Sequence, residues 1–473
     1  MDAVKKTEDL KAAQRTTLFI SMFAALVFPF AASSLNPAIP SIGEDFPVPA
    51  TSLAWIISAM LLANISISVP IGRFADLWGK RRVFNIGICI FSVATLLNAF
   101  APNFWVLLIF RVFQGIGGAM FATTNIAILM DIFPAQQRGR ILGLTVMCTY
   151  LGLSVGPVLG GLIVNTYSWR GIFIVTAAMA IIVCIVALTS MSKLPKSSLA
   201  HEEGTLINPV SNVLYMSAMF VFMYGLTILG QNSSSYFFLG GGVLLFIVFV
   251  WHELRSSQPV IELRLFKGNL NFIFSNLSAM LNYAATGAIG YILIFYLETI
   301  RGFQPLIAGL ILIVQPVIMA VVSPFMGRLS DKHSPFIFSS IGMGICSLAM
   351  LLFLFLSEGS PLGFVIVCLV VVGFGFGFFS SPNTNAIMSS VSPKDFGVAN
   401  SILSTMRISG QLISLAVITI VLNFYIGNAP LKEADTAGIM SAFHTTFVIF
   451  ALLCLCGVLL SLGRKQKPLN EEP

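Results

Sequence analysis

Charge is what this chain has least of: Asp, Glu, Lys and Arg make up 10% of its 473 residues, against roughly 25% in an ordinary soluble domain. So little charge cannot cover the surface of a water-soluble globule of this size. Histidine is scarcer still, with four scattered residues that form no metal-ligand cluster. No H-E-x-x-H and no phosphate-binding glycine loop occurs, which argues against a metalloprotease or a nucleotide-driven machine and against enzyme activity altogether. No cofactor is implied. Cys89, Cys148, Cys184, Cys346, Cys368, Cys454 and Cys456 all fall in apolar stretches and read as packing residues, not as a disulfide framework.

What fills the chain instead is hydrocarbon: 57% of residues are hydrophobic and the mean hydropathy is +0.92. Apolar runs of about 20 residues, long enough to cross a bilayer as a helix, recur from end to end. Fourteen are predicted, near residues 16–36, 52–71, 83–101, 104–131, 140–165, 171–191, 211–231, 235–252, 271–297, 304–326, 335–357, 361–388, 398–426 and 438–463. The first is too long for the apolar core of a signal peptide and has no small-residue cleavage site after it. The expectation is an all-α integral membrane protein whose partners are the lipid bilayer and whatever crosses it.

Lys and Arg positions set the orientation, since short cytoplasmic loops hold most of them. With the N-terminus inside, 21 of the 26 fall on the inner side, which places both termini in the cytoplasm and the chain as a multi-pass protein in the plasma membrane. The net charge of +7 is then a topological signal, and no basic face is left for nucleic acid. Trp55, Trp105 and Trp169 on one side and Trp78 and Trp251 on the other read as an interfacial belt. A polar insert from Ser192 to Asn208 follows the sixth span, and an inner stretch, PVIELRLFKGN, runs from Pro259 to Asn269 after the eighth. The chain therefore reads as 6+2+6: a six-helix bundle over 1–191, a loop with two extra helices over 192–270, and a second bundle over 271–473.

Three motifs carry more than topology. GRFADLWGKRR, Gly72 to Arg82, puts four cations and one carboxylate into a predicted turn between spans two and three, with Gly72 and Gly79 free to bend and Asp76 able to pair with a cation or a helix end. A shorter copy, GRLSDKHS, runs from Gly327 to Ser334, which points to an internal duplication. Inside the fourth span Arg111 and Gln114 share one helical face, and an arginine near mid-membrane costs roughly 2.5–3.5 kcal/mol. It reads either as a functional cation or as one held by carbonyls to stiffen the bundle. In the fifth span Gly152, Gly156 and Gly160 line one smooth face, with Pro157 among them as a kink.

Together these segments resemble the major facilitator superfamily over essentially the whole chain. GRFADLWGKRR is similar to its loop signature, LLIFRVFQGIGG to its fourth-helix R-x-x-Q-G motif, and GLSVGPVLGG to the fifth-helix antiporter motif found mainly in exporters. The two extra spans, WIISAMLLA, SWRGIF and PVIELRLF resemble the fourteen-span drug/proton antiporter branch. The resemblance implies two six-helix bundles rocking about a central cavity, with proton influx driving export of a small molecule. It implies gating and conformational coupling by Gly72, Arg73, Asp76, Gly79, Arg81, Asp131, Gly327, Arg328 and Asp331, and proton coupling by Arg111.

One departure matters: relatives place an aspartate in the first span where FAASSLNPAIP has Ala31, with Asn36 retained. Without that carboxylate a dicationic substrate loses its partner. Glu298 remains as a proton-coupling candidate, although Arg301 three residues on makes a simple surface pair equally consistent. The cavity is expected to be polar without formal charge, lined by Asn36, Gln114, Asn282, Tyr283, Gln315, Asn385 and Gln411, with Arg407 as a second internal cation explained by packing or by function. Multidrug efflux, and with it antibiotic resistance, is the leading expectation. Export of a specific metabolite, peptide or lipid, and a sensor or scaffold that has lost transport, stand behind it.

Overall fold

The computed structural model describes residues 2–133, 135–190, 208–229, 234–256, 265–330, 333–391, 396–427 and 435–463. The insert after span 6 and most of PVIELRLF lie outside these. Among the described residues fourteen helices are long and apolar enough to span a membrane: Gln14–Asp45, Thr51–Gly72, Lys80–Ala99, Phe104–Leu129, Met147–Thr166, Trp169–Ser190, Pro209–Thr227, Ser234–Arg255, Leu270–Ile300, Pro305–Ser330, Pro335–Phe353, Leu362–Ser389, Val398–Ile426 and Thr436–Leu462. These are spans 1 to 14. Helices are what such runs must form in lipid, where only an internal ladder can satisfy each N–H and C=O.

Three details differ from the sequence expectation. Span 1 is longer than predicted and is broken: a helix over Asp2–Ser33 passes through a tight turn at Asn36–Ala38 into Ile39–Asp45. Pro37 and Pro40, which offer no N–H to a continuing helix, sit at the two restarts. Span 9 gives way at Gly287 and Ala288 and ends in a π-helical turn, Phe295–Ile300.

The third difference concerns the charged turn, most of which is helix. The helix of span 2 continues from Trp55 through Trp78, and the next begins at Lys80. Only Gly79 breaks the chain, with φ of 95°, a conformation that a side chain disfavours. Gly72 is helical, and a Cβ there would meet Thr123 Cγ2 of span 4 at 3.6 Å, so its place is beside a neighbouring helix and not in a bend.

The chain divides into two compact units. The first comprises Met1–Gly225, Ser234–Val260 and Phe303–Leu310, and the second Leu226–Ser233, Ile261–Gly302 and Ile311–Pro473. Spans 1 to 6 form the core of the first, where Phe84, Phe91 and Phe121 pack with Ile20, Ala24 and Val27 of span 1. Spans 7 and 8 pack within the same unit, with Tyr224 of span 7 beside Trp55 at 5.7 Å and the Tyr215 hydroxyl reaching the Ile65 carbonyl at 3.5 Å. In the second unit Phe272, Met343, Phe379 and Leu403 fill the equivalent place.

Internal duplication is visible in how the helices touch within each unit. Spans 3 and 4 cross where Gly87 faces Gly117, and spans 11 and 12 cross where Gly342 faces Gly375. Gly115 of span 4 lies on the Met60 carbonyl of span 2, and Gly373 of span 12 lies 2.8 Å, measured from a built Cβ, from the Gln315 carbonyl of span 10. Gly152 of span 5 rests on the Leu26 carbonyl of span 1, as Gly410 of span 13 rests on the Met280 carbonyl of span 9. Lipid supplies no hydrophobic drive between apolar helices, so this backbone-level packing is what joins them.

Candidate functional site

Arg111 is the most buried charge among the described residues, with no exposed surface. It lies seven residues into the helix that begins at Phe104, roughly 10 Å from that end at 1.5 Å per residue, so it is nearer one surface than the mid-membrane depth expected from sequence. Its Nε donates to the Ile56 carbonyl of span 2 at 2.6 Å and its Nη1 to Gln114 Oε1 at 2.6 Å. Gln114 Nε2 donates in turn to Thr95 Oγ1 of span 3 at 2.8 Å. The Phe173 ring of span 6 stands 6.0 Å from Cζ, while Nη2 is buried with no hydrogen-bond partner among the described residues. One cation thus ties four helices together, and its spare donor can accept a transient partner. Gln114, fully buried with both polar ends engaged, does not line an open cavity here.

The glycine stripe of span 5 has its partner in span 1. A Cβ at Gly152 would strike the Leu26 carbonyl, one at Gly156 the Ser33 hydroxyl, and one at Gly160 the Ser34 carbonyl. Ser33 Oγ also donates to the Gly152 carbonyl at 3.3 Å. The contact ends at the broken segment of span 1 that carries Asn36, which is half-buried. Pro157, inside the helix Ala135–Thr166, directs its carbonyl at Gly309 of the same unit.

At the charged turns, Arg73 and Asp76 lie in the span 2 helix and Asp131 at the end of the span 4 helix, with side chains outside the described set. Asp331 is also outside it. Arg81 is half-buried, and Arg328 sits in the last turn of the span 10 helix. Gly327 repeats the placement of Gly72: a Cβ there would meet Ser381 Oγ of span 12 at 2.5 Å. Asn385, expected in the cavity, instead donates to Ser330 Oγ at 3.2 Å and fastens span 12 to the end of the span 10 helix, within the second charged motif.

In the second unit Asn282 is fully buried, its Nδ2 against Met343 Sδ at 3.2 Å, so it too is interior. Tyr283, Gln315 and Gln411 are half-buried. Tyr283 meets Phe376 edge-on at 5.2 Å, and Gln411 packs where Gly287 opens span 9. Glu298 belongs to the π-helical turn, a rare geometry that gathers at functional sites. Arg301 donates to the Tyr296 hydroxyl at 3.3 Å and to the carbonyls of Glu358 and Ser360 at 3.0 and 2.5 Å, so it is engaged well beyond a pairing with Glu298.

One cluster was not foreseen. Asp45, at the end of span 1, accepts from Trp169 Nε1 at 2.9 Å and from Arg170 Nη1 at 2.6 Å, and the Arg170 guanidinium lies 4.2 Å from the Trp169 ring centroid. Trp78, Trp105 and Trp251 are exposed as belt residues should be, whereas Trp169 is 2% exposed because this clamp covers it. SWRGIF offered the sequence signal, but its partner lies over 120 positions earlier.

Comparison with known proteins places this arrangement. Residues 21–261 and 276–473 match the sequence model of the Major Facilitator Superfamily. The chain is 28% identical over 439 residues to "Riboflavin transporter RibZ" of Clostridioides difficile, covering 92% of this chain and 94% of that one. It is 28% identical over 394 residues to "Multidrug resistance protein Stp" of Mycobacterium tuberculosis, covering 82% and 72%. Among solved structures, a D-xylose-proton symporter superposes with a TM-score of 0.68 at 14% identity, over 95% of this chain and 97% of that one. The xylose transporter XylE of E. coli superposes with 0.65 at 13% identity, over 98% and 100%. These structural likenesses speak for the fold alone.

Proposed function

The chain belongs to the Major Facilitator Superfamily, and from that premise we propose that it is a proton-coupled secondary transporter exporting amphipathic small molecules across the plasma membrane by alternating access. The observation that carries export is the Gly152, Gly156 and Gly160 stripe, pressed at backbone level onto span 1. A glycine face of this kind lets two helices slide or flex without shedding side-chain contacts, and the motif it belongs to resembles that of exporters. Arg73, Asp76, Arg81, Asp131, Gly327, Arg328 and Asp331 form the cytoplasmic gate in this reading, with both termini on the same side.

Proton coupling is assigned to Arg111 and Glu298. The first holds a buried charge with a spare donor, and the second is a carboxylate presented by a π-helical turn. One proton moving through 100 mV releases about 2.3 kcal/mol, and one pH unit adds about 1.36 kcal/mol, enough together to sustain a gradient of a few hundredfold. Export of one specific metabolite is the second reading, supported by Ala31 in place of a first-span carboxylate and by the riboflavin transporter among the relatives. Dye efflux from a pump-deficient host, with and without a protonophore, tests the first reading. Expression that leaves dye retention unchanged sinks it, and inhibition by a metabolite but not by dyes favours the second. In liposomes Glu298→Gln is expected to flatten the dependence of exchange on external pH, and an unaltered pH profile removes Glu298 from the coupling scheme.

A further inference from the structure

Arg407 is a charge in the second unit that neither the gate nor the coupling scheme uses. It stands in span 13, Val398–Ile426, roughly 14 Å along the helix from Val398 at 1.5 Å per residue. Its Nη2 donates to Thr384 Oγ1 of span 12 at 2.8 Å. Its Cζ lies 5.8 Å from the centroid of the Tyr283 ring of span 9. Its Nε is buried with no hydrogen-bond partner among the described residues.

Arg407 as a whole is half-buried; a guanidinium carries five N–H donors, and those withdrawn from water are held at tolerable cost only when hydrogen-bonded. A neutral hydroxyl and a ring face compensate part of this cation. Among the described residues nothing pairs with its Nε. Spans 9 to 14 contain a single acidic residue, Glu298, which lies fifteen residues beyond Tyr283 along span 9 and so roughly 20 Å away. The Nε edge of a guanidinium is the one that grips the two oxygens of a carboxylate side-on. The Tyr283 ring below Cζ is in turn met edge to face by Phe376.

Resting on the transport reading, we infer that Arg407 is a substrate-recognition residue that takes the oxyanion of the transported compound, a carboxylate in the simplest case, borne on a planar ring that lies against Tyr283. Thr384 is the positioning residue that holds the guanidinium. The preferred cargo is thus an aromatic anion, and a cation of the same shape is disfavoured by repulsion. This agrees with the missing carboxylate at Ala31, where a cationic substrate would have found its partner.

The test uses the purified full-length protein and two probes on one xanthene ring: fluorescein, which carries a carboxylate, and rhodamine 6G, a cation whose carboxyl is esterified. Binding is read by fluorescence anisotropy in detergent, and transport in proteoliposomes under a pH gradient. The wild type is expected to bind fluorescein the more tightly. Arg407→Gln should weaken fluorescein by about ten-fold or more, the worth of a charge-assisted hydrogen bond, and leave rhodamine 6G unchanged or tighter. Arg407→Lys should recover part of the loss, because charge returns without the fork, and Thr384→Val should lose less than Arg407→Gln. Melting temperature and elution profile identify a variant that fails to fold, in which case the Lys and Val variants carry the comparison. Wild-type affinity for fluorescein in the folded Gln variant, or equal losses for both probes, overturns the inference while leaving transport intact. Arg407-dependent binding of fluorescein without transport of either probe leaves the anion site standing and removes the transport reading.

Discussion

Gly342 and Gly344 sit two residues apart on span 11 and point to different surroundings, so the same substitution at each should change stability with opposite signs. A Cβ built on Gly342 lies 2.5 Å from the Phe379 amide nitrogen, 2.7 Å from the Gly375 carbonyl and 2.8 Å from the Phe378 carbonyl carbon, whereas one built on Gly344 meets nothing within 4 Å. The obstacles at Gly342 are backbone atoms of span 12, which cannot rotate aside as a side chain can. Overpacking of this kind costs about 1–3 kcal/mol, and rigid obstacles place Gly342→Ala toward the upper end. At Gly344 the backbone is helical and open, so alanine restricts the unfolded chain and stabilises by about 0.4–1 kcal/mol. The two variants should therefore differ by roughly 2–4 kcal/mol. Heating detergent-solubilised protein and following the monodisperse fraction by size-exclusion fluorescence reads the difference as a lower midpoint for Gly342→Ala and an unchanged or higher one for Gly344→Ala. Equal shifts in the same direction would refute the claim that spans 11 and 12 meet at backbone level.

Further expectations concern single residues. Gly79→Ala forces a side chain into φ of 95°, at about 1–3 kcal/mol, and should lower both melting temperature and transport rate; a neutral result would mean that the joint relaxes. Asp45→Ala should destabilise by about 1.5–3 kcal/mol, since it strands the N–H of a buried Trp169 that had donated to a charged acceptor. Arg170→Ala should cost less than about 1 kcal/mol, because that pair is 37% and 47% exposed and solvent screens it; the reverse order of midpoints would count against the clamp. Arg111→Lys keeps the charge but not the fork that reaches Ile56 and Gln114 together, so transport should fall about ten-fold or more with a lowered midpoint, and an active, equally stable Lys variant would show that only the charge is needed.

The spans were legible because a bilayer imposes one length and one polarity on every crossing segment. The glycine stripe was legible too, since three glycines four apart have few other uses. What hydropathy could not show was where a helix continues through polar residues. GRFADLW looked like a turn because it is charged, yet at a membrane surface a helix tolerates such residues and only Gly79 ends it. Gln114 and Asn282 were expected around a cavity because they are polar within apolar spans. Whether a polar side chain faces a cavity or an interior partner depends on the neighbouring helix, here on Thr95 and Met343. Asp45 was missed for a related reason: its partners lie over 120 residues away in sequence, and no local pattern announces them.

The single-residue joint at Gly79 has a mechanical consequence. A loop of several residues would absorb displacement, letting one helix shift while the next stayed put. One glycine has almost no slack: it can swivel, but it cannot stretch. A push on the tail of span 2 must therefore arrive at the head of span 3 as a rotation about that α-carbon, so the two behave as arms of one lever whose fulcrum is a residue with no side chain to obstruct the swing.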